Sequence, residues 1–337
     1  MTEAGLLGTD VPLREAFDVA LVDLDGVAYK GSHSIPTAPP ALEAARAAGM
    51  RLLFVTNNAS REPETVAGHL SELGIPCAPG EVMTAAQAGA ELLAEQVRTG
   101  QKVLVVGGAG LHTAVAAKGF VIVDSATDHP VAVIQGFAPH LGWKDFAEAV
   151  YAINAGARFF ATNLDLTLPT ERGMAPGNGS LVGVVRTATG VDPVSAGKPE
   201  PAMFHLAARK AGAERPLMIG DRLDTDLRGA RAAAMPGLLV LTGVSSARDA
   251  VLAVPAERPS FIGGDLSTLE EAHPAPELVD RWWHVGQARA RVTERRLVAD
   301  GGDPMDRLRA ACAAAWAAAD AGEQIDVETL PHFGVAS

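Results

Sequence analysis

Apolar runs of strand length that stop abruptly at polar residues recur along the chain. The first is Val19-Ala-Leu-Val22, which ends at Asp23-Leu-Asp25-Gly26. A run without polar alternation predicts a strand buried on both faces of a parallel sheet, with the acidic pair at its carboxyl end, where open α/β sheets bind ligands. Pro39 to Ala48, alanine-rich and closed by Gly49, predicts a helix, and Arg51 to Val55 a second strand leading into Thr56-Asn57-Asn58. Strand, helix, strand is a right-handed parallel crossover. Ser60 is the expected cap of the next helix, with Pro63 in its first turn and Gly74 at its end.

From about Val82 the pattern restarts. Val103 to Val106, Val131 to Gln135 and Phe159 to Thr162 read as strands and Trp143 to Ala155 as a helix, a second α/β set inserted in the first. Pro169 to Ser180, rich in proline and glycine, reads as an active-site loop or domain junction. Leu217 to Gly220 and Leu238 to Leu241 are short strands able to finish the first sheet. In the last sixty or so residues, Trp282 to Val285 and Ala290 to Leu297 are expected to pair as a hairpin. Met305 to Ala321 is an alanine-rich helix with Leu308, Cys312 and Trp316 on one face.

These patterns predict an α/β protein: a Rossmann-like, doubly wound parallel sheet core, an inserted α/β cap and a small C-terminal α/β extension. The expected boundaries are 1–81 and 184–273 for the core, 82–183 for the cap and 274–337 for the extension. A length of 337 residues with 48% hydrophobic and 20% charged content suits about two domains of roughly 150 residues. Net charge of −12 gives no overall basic field to recruit nucleic acid or anionic lipid. Cys77 and Cys312 show no metal or redox spacing and are expected to be free thiols. Without a basic start followed by an apolar run, and with no window of about 18 apolar residues, the chain reads as cytoplasmic, with no membrane partner.

Phosphate monoester hydrolysis through a covalent intermediate needs a carboxylate nucleophile, an acid/base, a divalent cation and fixed positive groups around the phosphoryl oxygens. Asp23 is the nucleophile candidate, and Asp25, across the Gly26 turn, the acid/base. Thr56, Asn57 and Asn58 offer a hydroxyl and exposed N–H groups for phosphoryl oxygens. Lys198, between Gly197 and Pro199, can place an ammonium against phosphate. Asp221, ending the Leu217 to Gly220 strand, can complete an oxygen shell for Mg2+, and Asp226 can orient its waters or Lys198. Each element is commonplace alone; four in order at successive strand ends converge on one sheet edge.

That ordered set, Asp23-Leu-Asp25-Gly-Val, Val-Thr56-Asn57-Asn58, Gly-Lys198-Pro-Glu-Pro and Gly-Asp221-Arg-Leu-Asp-Thr-Asp226, resembles the haloacid dehalogenase superfamily of phosphatases. The insertion between the second and third motifs resembles the NagD-like subfamily with its C2-type cap. Asn163, Asp165 and Arg172, with the stretch Pro176 to Ser180, look like that cap's closing segment, and Asn163, Asp165 and Arg172 are the expected cap contacts to substrate. The likeness runs from about 18 to 273 and is nearest to actinobacterial glycerol 3-phosphate phosphatases, which carry a similar C-terminal helix. It implies Asp23 as nucleophile and Asp25 as acid/base. It also implies Asp23, the Asp25 carbonyl and Asp221 as magnesium ligands, and Thr56, Asn57 and Lys198 as phosphate holders.

The expected partner is a small-molecule phosphate ester, first glycerol 3-phosphate, then 2-phosphoglycolate, a sugar phosphate or pyridoxal 5′-phosphate. Caps of this type often mediate dimers, which makes a homodimer through the cap a further expectation. A phosphorylatable regulatory domain would share the acceptor aspartate, metal ligands, threonine and lysine, but Asp25 and the large insertion count against it. Val105 to Gly110 lacks the full dinucleotide fingerprint and a P-loop lysine, so its glycines are expected to make a tight turn. His69, His112 and His205 read as ordinary helix residues, and the tryptophans of the extension as its core.

Overall fold

The structure is a computed structural model that describes residues 5–170 and 172–335. It contains two compact units, Met1–Leu53 with Leu73–Ile75 and Ala208–Ser337, and Phe54–Glu72 with Pro76–Ala207.

The first unit is built on parallel strands Val19–Val22 (β1), the start of Arg51–Thr56 (β2), Pro216–Gly220 (β3), Gly237–Val240 (β4) and Phe261–Gly263 (β5), in the order β5-β4-β3-β1-β2. β1 pairs with β3 from Val19 opposite Pro216 to Val22 opposite Ile219, and β4 lies between β3 and β5. All four residues of β1 are buried, as a sheet covered on both faces requires. Helix Ala38–Ala47 buries Ala38, Ala41, Leu42 and Ala45 and is followed by Gly49 at φ 94°, where a side chain would be strained. Arg51 ties the sheet edge by donating to Asp18 at 2.9 Å and to the Ala211 carbonyl at 2.6 Å.

The C-terminal segment is a four-stranded antiparallel sheet, Glu277–Val279 (β6), Trp282–Val285 (β7), Ala288–Thr293 (β8) and Arg296–Gly301 (β9), in sequential order, followed by helix Pro304–Asp320. The expected hairpin partner Ala290 to Leu297 spans a turn instead: β8 ends at Thr293, and Glu294 and Arg295 reverse the chain at φ 48° and 64°. That is the φ sign of the type I′ turn that suits the twist of paired strands.

This segment is no loose appendage. Leu308, Ala311, Cys312, Ala315 and Trp316 share one continuous core with Leu239, Leu241 and Ile262. Polar groups fasten the same face, with Trp316 Nε1 donating to the Ala250 carbonyl at 3.0 Å and Arg309 to the Ile262 carbonyl at 2.9 and 3.0 Å. Trp316 is therefore core and half-buried Trp283 packs against the same cluster, whereas half-buried Trp282 carries two guanidinium groups, of Arg289 and Arg291, 4.5 and 4.4 Å from its ring centroid. Cys77 and Cys312 are free, and burial pushes the Cys312 thiol well up.

The second unit has its own parallel sheet, ordered Val194–Ser195, Arg158–Ala161, Ala132–Gln135, Lys102–Val106, Val121–Val123. Helices Ala85–Gln96, Ala109–Ala117, Trp143–Asn154 and Asn178–Thr189 accompany it. The end of β2 belongs here, pairing Phe54 to Thr56 with Val82 to Thr84. The stretch read as a loop from Pro169 is a hairpin, Thr167–Thr170 against Gly173–Pro176, running into the last of those helices. The next helix after β2 starts at Pro63, and Ser60 does not cap it. Its N–H and Oγ both donate to Asn58 Oδ1, at 2.8 and 2.9 Å, because an Asn side chain readily closes a local turn onto the residue two ahead. Gly107 and Gly108 make the expected tight turn from the strand ending at Val106 into the helix starting at Ala109, and packing adds a demand at Gly110, where a Cβ would stand 2.6 Å from the Arg61 carbonyl oxygen. Among the described residues, no helix is long and apolar enough to cross a membrane.

Candidate active site

In the first unit, β1 and β3 end side by side and each delivers a carboxylate. Asp23 continues the ladder, its N–H donating to Ile219 O at 2.9 Å, and Asp221 follows Gly220 directly. Carboxylate oxygens of Asp23, Asp221 and Asp226 all lie within 4.8 Å of one another, and all three residues are buried. Among the described residues this is the group of acidic and metal-ligating side chains close enough to hold an ion. Three buried carboxylates at that spacing repel one another, and each loses hydration; a hard divalent cation with oxygen preference resolves both costs. The donor set therefore fits magnesium.

Glycines make the room. A Cβ on Gly243 would overlap the Asp221 carboxylate, one on Gly220 would overlap Asp226, and one on Gly26 would lie 2.5 Å from Asp221 Oδ2. Gly26 sits at φ 84°, closing the turn after Asp25 with its N–H on the Tyr29 carbonyl at 2.8 Å. The turn leaves Asp25 exposed while Asp23 is buried.

Asp226 stands closer in than expected. Leu223–Leu227 forms one π-helical turn, whose extra residue carries Asp226 back beneath Gly220, where its Oδ2 accepts from the Arg222 N–H at 3.2 Å. Sequence reasoning overlooked the loop after β4. There the Val244 N–H donates to Asp221 Oδ2 at 2.7 Å, the Ser245 N–H to Asp221 O at 3.0 Å, and the Ser245 hydroxyl accepts from the Leu223 N–H. The signal was present as another strand running into Thr242-Gly243-Val244-Ser245.

In the second unit, buried Thr56 ends β2 and its Oγ1 accepts from the Asn58 N–H at 3.1 Å, which leaves the hydroxyl proton to donate. Asn57 is wholly engaged. Its Oδ1 accepts from the Lys198 N–H at 2.9 Å, and its Nδ2 donates to the Lys198 carbonyl at 3.0 Å and to Asp165 Oδ2 at 2.9 Å. Lys198 is buried, with Nζ 3.4 Å from the Val55 carbonyl. Asn163 donates to the Asn57 carbonyl at 2.7 Å, and Asn178 to the Asn163 carbonyl at 2.8 Å. Structure thus gathers Asn57, Asn163, Asp165 and Lys198, leaves Asn58 exposed, and puts Arg172 exposed on the Thr167–Pro176 hairpin. Asn178, within the Pro176 to Ser180 stretch but not itself among the expected contacts, joins this set.

Comparison with known proteins agrees with this arrangement. Residues 20–121 match the haloacid dehalogenase-like hydrolase family, residues 195–269 a second family of haloacid dehalogenase-like hydrolases, and residues 285–330 a GCN5-related N-acetyltransferase-like domain. The chain is 49% identical to D-glycerol 3-phosphate phosphatase of Mycobacterium tuberculosis over 77% of its own length and 72% of that protein's. It is 39% identical to a 5′-nucleotidase of Bacillus subtilis over 67% of its length and 87% of that protein's. A crystal structure of the M. tuberculosis glycerol phosphate phosphatase in complex with magnesium superposes with a TM-score of 0.85 at 44% identity, covering 91% of this chain and 92% of the other. By the motifs, the acidic cluster and these likenesses together, the chain belongs to the haloacid dehalogenase-like hydrolases.

Proposed function

We propose that the protein is a magnesium-dependent phosphatase that hydrolyses a small-molecule phosphate monoester, glycerol 3-phosphate first, through an aspartyl-phosphate on Asp23. The observation that carries this reading is the convergence of the Asp23, Asp221 and Asp226 carboxylates within 4.8 Å. Support for the substrate comes from the relative named for glycerol 3-phosphate at 49% identity.

In this mechanism an Asp23 carboxylate oxygen attacks phosphorus, the P–O bond to the alcohol breaks, and Asp25 gives its proton to the leaving oxygen. Asp25 then takes a proton from water, whose oxygen attacks the same phosphorus; the acyl-phosphate P–O bond breaks, phosphate leaves and Asp23 is restored. Exposure of Asp25 suits the approach of the leaving oxygen and then of water. The Thr56 hydroxyl, its oxygen fixed by the Asn58 N–H, and the Asn57 N–H hold the phosphoryl oxygens, and the Lys198 ammonium balances their charge. Asp23, the Asp25 carbonyl and Asp221 hold magnesium, with Asp226 directly beside them; the ion offsets the negative charge gathered around phosphorus.

We assign 82–183 as the cap, with Asn163, Asp165 and Arg172 its substrate-facing residues, 1–81 and 184–273 as the core, and 274–337 as the extension. A cytoplasmic location fits the composition. A second copy of the chain is the expected protein partner, through the cap helix Trp143–Asn154, whose Trp143 and Tyr151 are 76% and 54% exposed.

A panel of phosphate esters ranked by kcat/KM with magnesium tests the reading. Glycerol 3-phosphate is expected to lead the sugar phosphates, 2-phosphoglycolate and pyridoxal 5′-phosphate. Lys198→Ala is expected to lose about a hundredfold in kcat. No magnesium-dependent turnover of any ester, including an aryl phosphate, would reject a phosphatase in favour of a phosphorylatable regulatory domain.

A further inference from the structure

We propose that Asp165 and Asn57 are positioning residues: they form a clamp on the Lys198 main chain and set where its ammonium stands, and neither side chain contacts substrate. This rests on the reading of Lys198 as the charge-balancing group of the phosphatase.

The Asn57 side chain has one acceptor and two donor hydrogens, and all are committed. Two bonds run to the Lys198 N–H and C=O, a paired grip on one residue, and the third ends on Asp165. With both donors used, the side-chain amide has nothing to offer a phosphate, whose oxygens can only accept. The Asp165 carboxylate holds the amide in one orientation, because flipping it would turn Oδ1 toward a carboxylate oxygen and Nδ2 toward the Lys198 N–H.

The clamp is seated from behind. The Asp165 N–H is held by Asn163 Oδ1 at 3.2 Å, and the Gly179 N–H donates to the Asp165 carbonyl at 2.8 Å. Side chains at Gly177 or Gly179 would overlap the Asp165 and Leu164 carbonyls. Gly197 completes it: a Cβ there would stand 2.7 Å from Asn163 Cβ and 3.0 Å from Asn57 Oδ1, so only glycine lets Lys198 settle into the grip. The stretch from Pro176 to Ser180 thus supports the turn that holds Asp165, the amide that Asp165 holds, and through it the lysine.

Kinetics of the full-length magnesium enzyme on p-nitrophenyl phosphate and on glycerol 3-phosphate test this. Asp165→Ala and Asn57→Ala are each expected to lower kcat by roughly ten- to a hundredfold, the scale of a small misplacement, by the same factor for both esters and with little change in KM. Asp165→Asn, which keeps an oxygen to accept from Asn57, recovers most of that loss. Added to Lys198→Ala, the Asp165→Ala change costs nothing further, since its effect passes through the lysine. A loss confined to glycerol 3-phosphate or to its KM would make Asp165 a substrate contact and overturn the clamp, as would losses that multiply with that of Lys198→Ala. Should Asp165→Ala fail to fold, Asp165→Ser takes its place in the same cycle. If Lys198→Ala is inactive and Asp165→Ala is as active as wild type, the clamp alone fails; if Lys198→Ala keeps full kcat, the role of the lysine fails with it.

Discussion

Asn57 grips both main-chain polar groups of Lys198, taking its N–H at 2.9 Å and giving to its carbonyl at 3.0 Å. Residues 141 positions apart are thereby fixed as one unit at the end of β2. Two motifs that look separate in the sequence act as a single piece, with Asn163, Asp165 and the turn at Gly177 and Gly179 packed around it.

The glycine cradle makes a sharp prediction at Gly243. In Gly243→Ala the new methyl would overlap Asp221 Oδ2 and displace a carboxylate of the acidic cluster. The magnesium concentration for half-maximal activity is expected to rise roughly tenfold or more, the usual cost of disturbing the support of a metal ligand. Wild-type magnesium dependence in this variant would remove the case for the cradle.

The C-terminal helix is expected to be part of the fold's stability. Trp316→Ala should cost about 3–5 kcal/mol in urea unfolding, the range for emptying a large buried aromatic site. Asp320→Ala removes the carboxylate that takes two hydrogen bonds, at 2.7 and 2.8 Å, from the Arg258 guanidinium, whose side chain is 1% exposed. Leaving that charge short of a partner is expected to cost about 1–3 kcal/mol. Unchanged unfolding in both variants would restore the picture of a separate appendage.

His273 predicts an acid-sensitive step. Burial, helped by the Arg309 charge, lowers its pKa from the usual 6.5 to about 4, so the folded state resists the proton that the unfolded chain accepts. The stability this contributes is complete above pH 6.5 and is lost as pH falls toward 4. At pH 4.5 the loss amounts to about 2.5 kcal/mol. His273→Gln is expected to flatten that part of the stability profile between pH 6.5 and 4.5, read as urea midpoints.

The β8–β9 turn can be improved. Glu294 and Arg295 occupy positive φ, where Asn-Gly is the preferred pair. Replacing them with Asn and Gly is expected to raise stability by about 1 kcal/mol, seen as an upward shift of Tm. A fall in Tm would contradict the turn geometry.

That turn also shows where sequence reading stopped. Glu-Arg carries none of the usual turn chemistry, so the pattern from Ala290 to Leu297 looked like one strand, and only the ladder reveals the reversal. By contrast, the buried runs before Asp23, Thr56 and Asp221 were legible because an apolar stretch without alternation has few other uses. The position of Asp226 was not legible, because it depends on a single π turn. Nor was the commitment of Asn57, since a Thr-Asn-Asn turn and a clamp on a distant lysine look alike in one dimension. The extension's helix was plain from its period, but its partners, Leu239 and Ile262, are set by tertiary packing.

The proposed chemistry turns on a phosphoryl group carried by Asp23. Acid quenching of the enzyme during turnover of 32P-labelled glycerol 3-phosphate with magnesium, followed by peptide mapping, tests it most directly. A hydroxylamine-labile label is expected on the peptide that contains Asp23 and is expected to be absent in Asp23→Asn, which should also show no turnover. Label on another residue, or substantial phosphate release by Asp23→Asn, would contradict it.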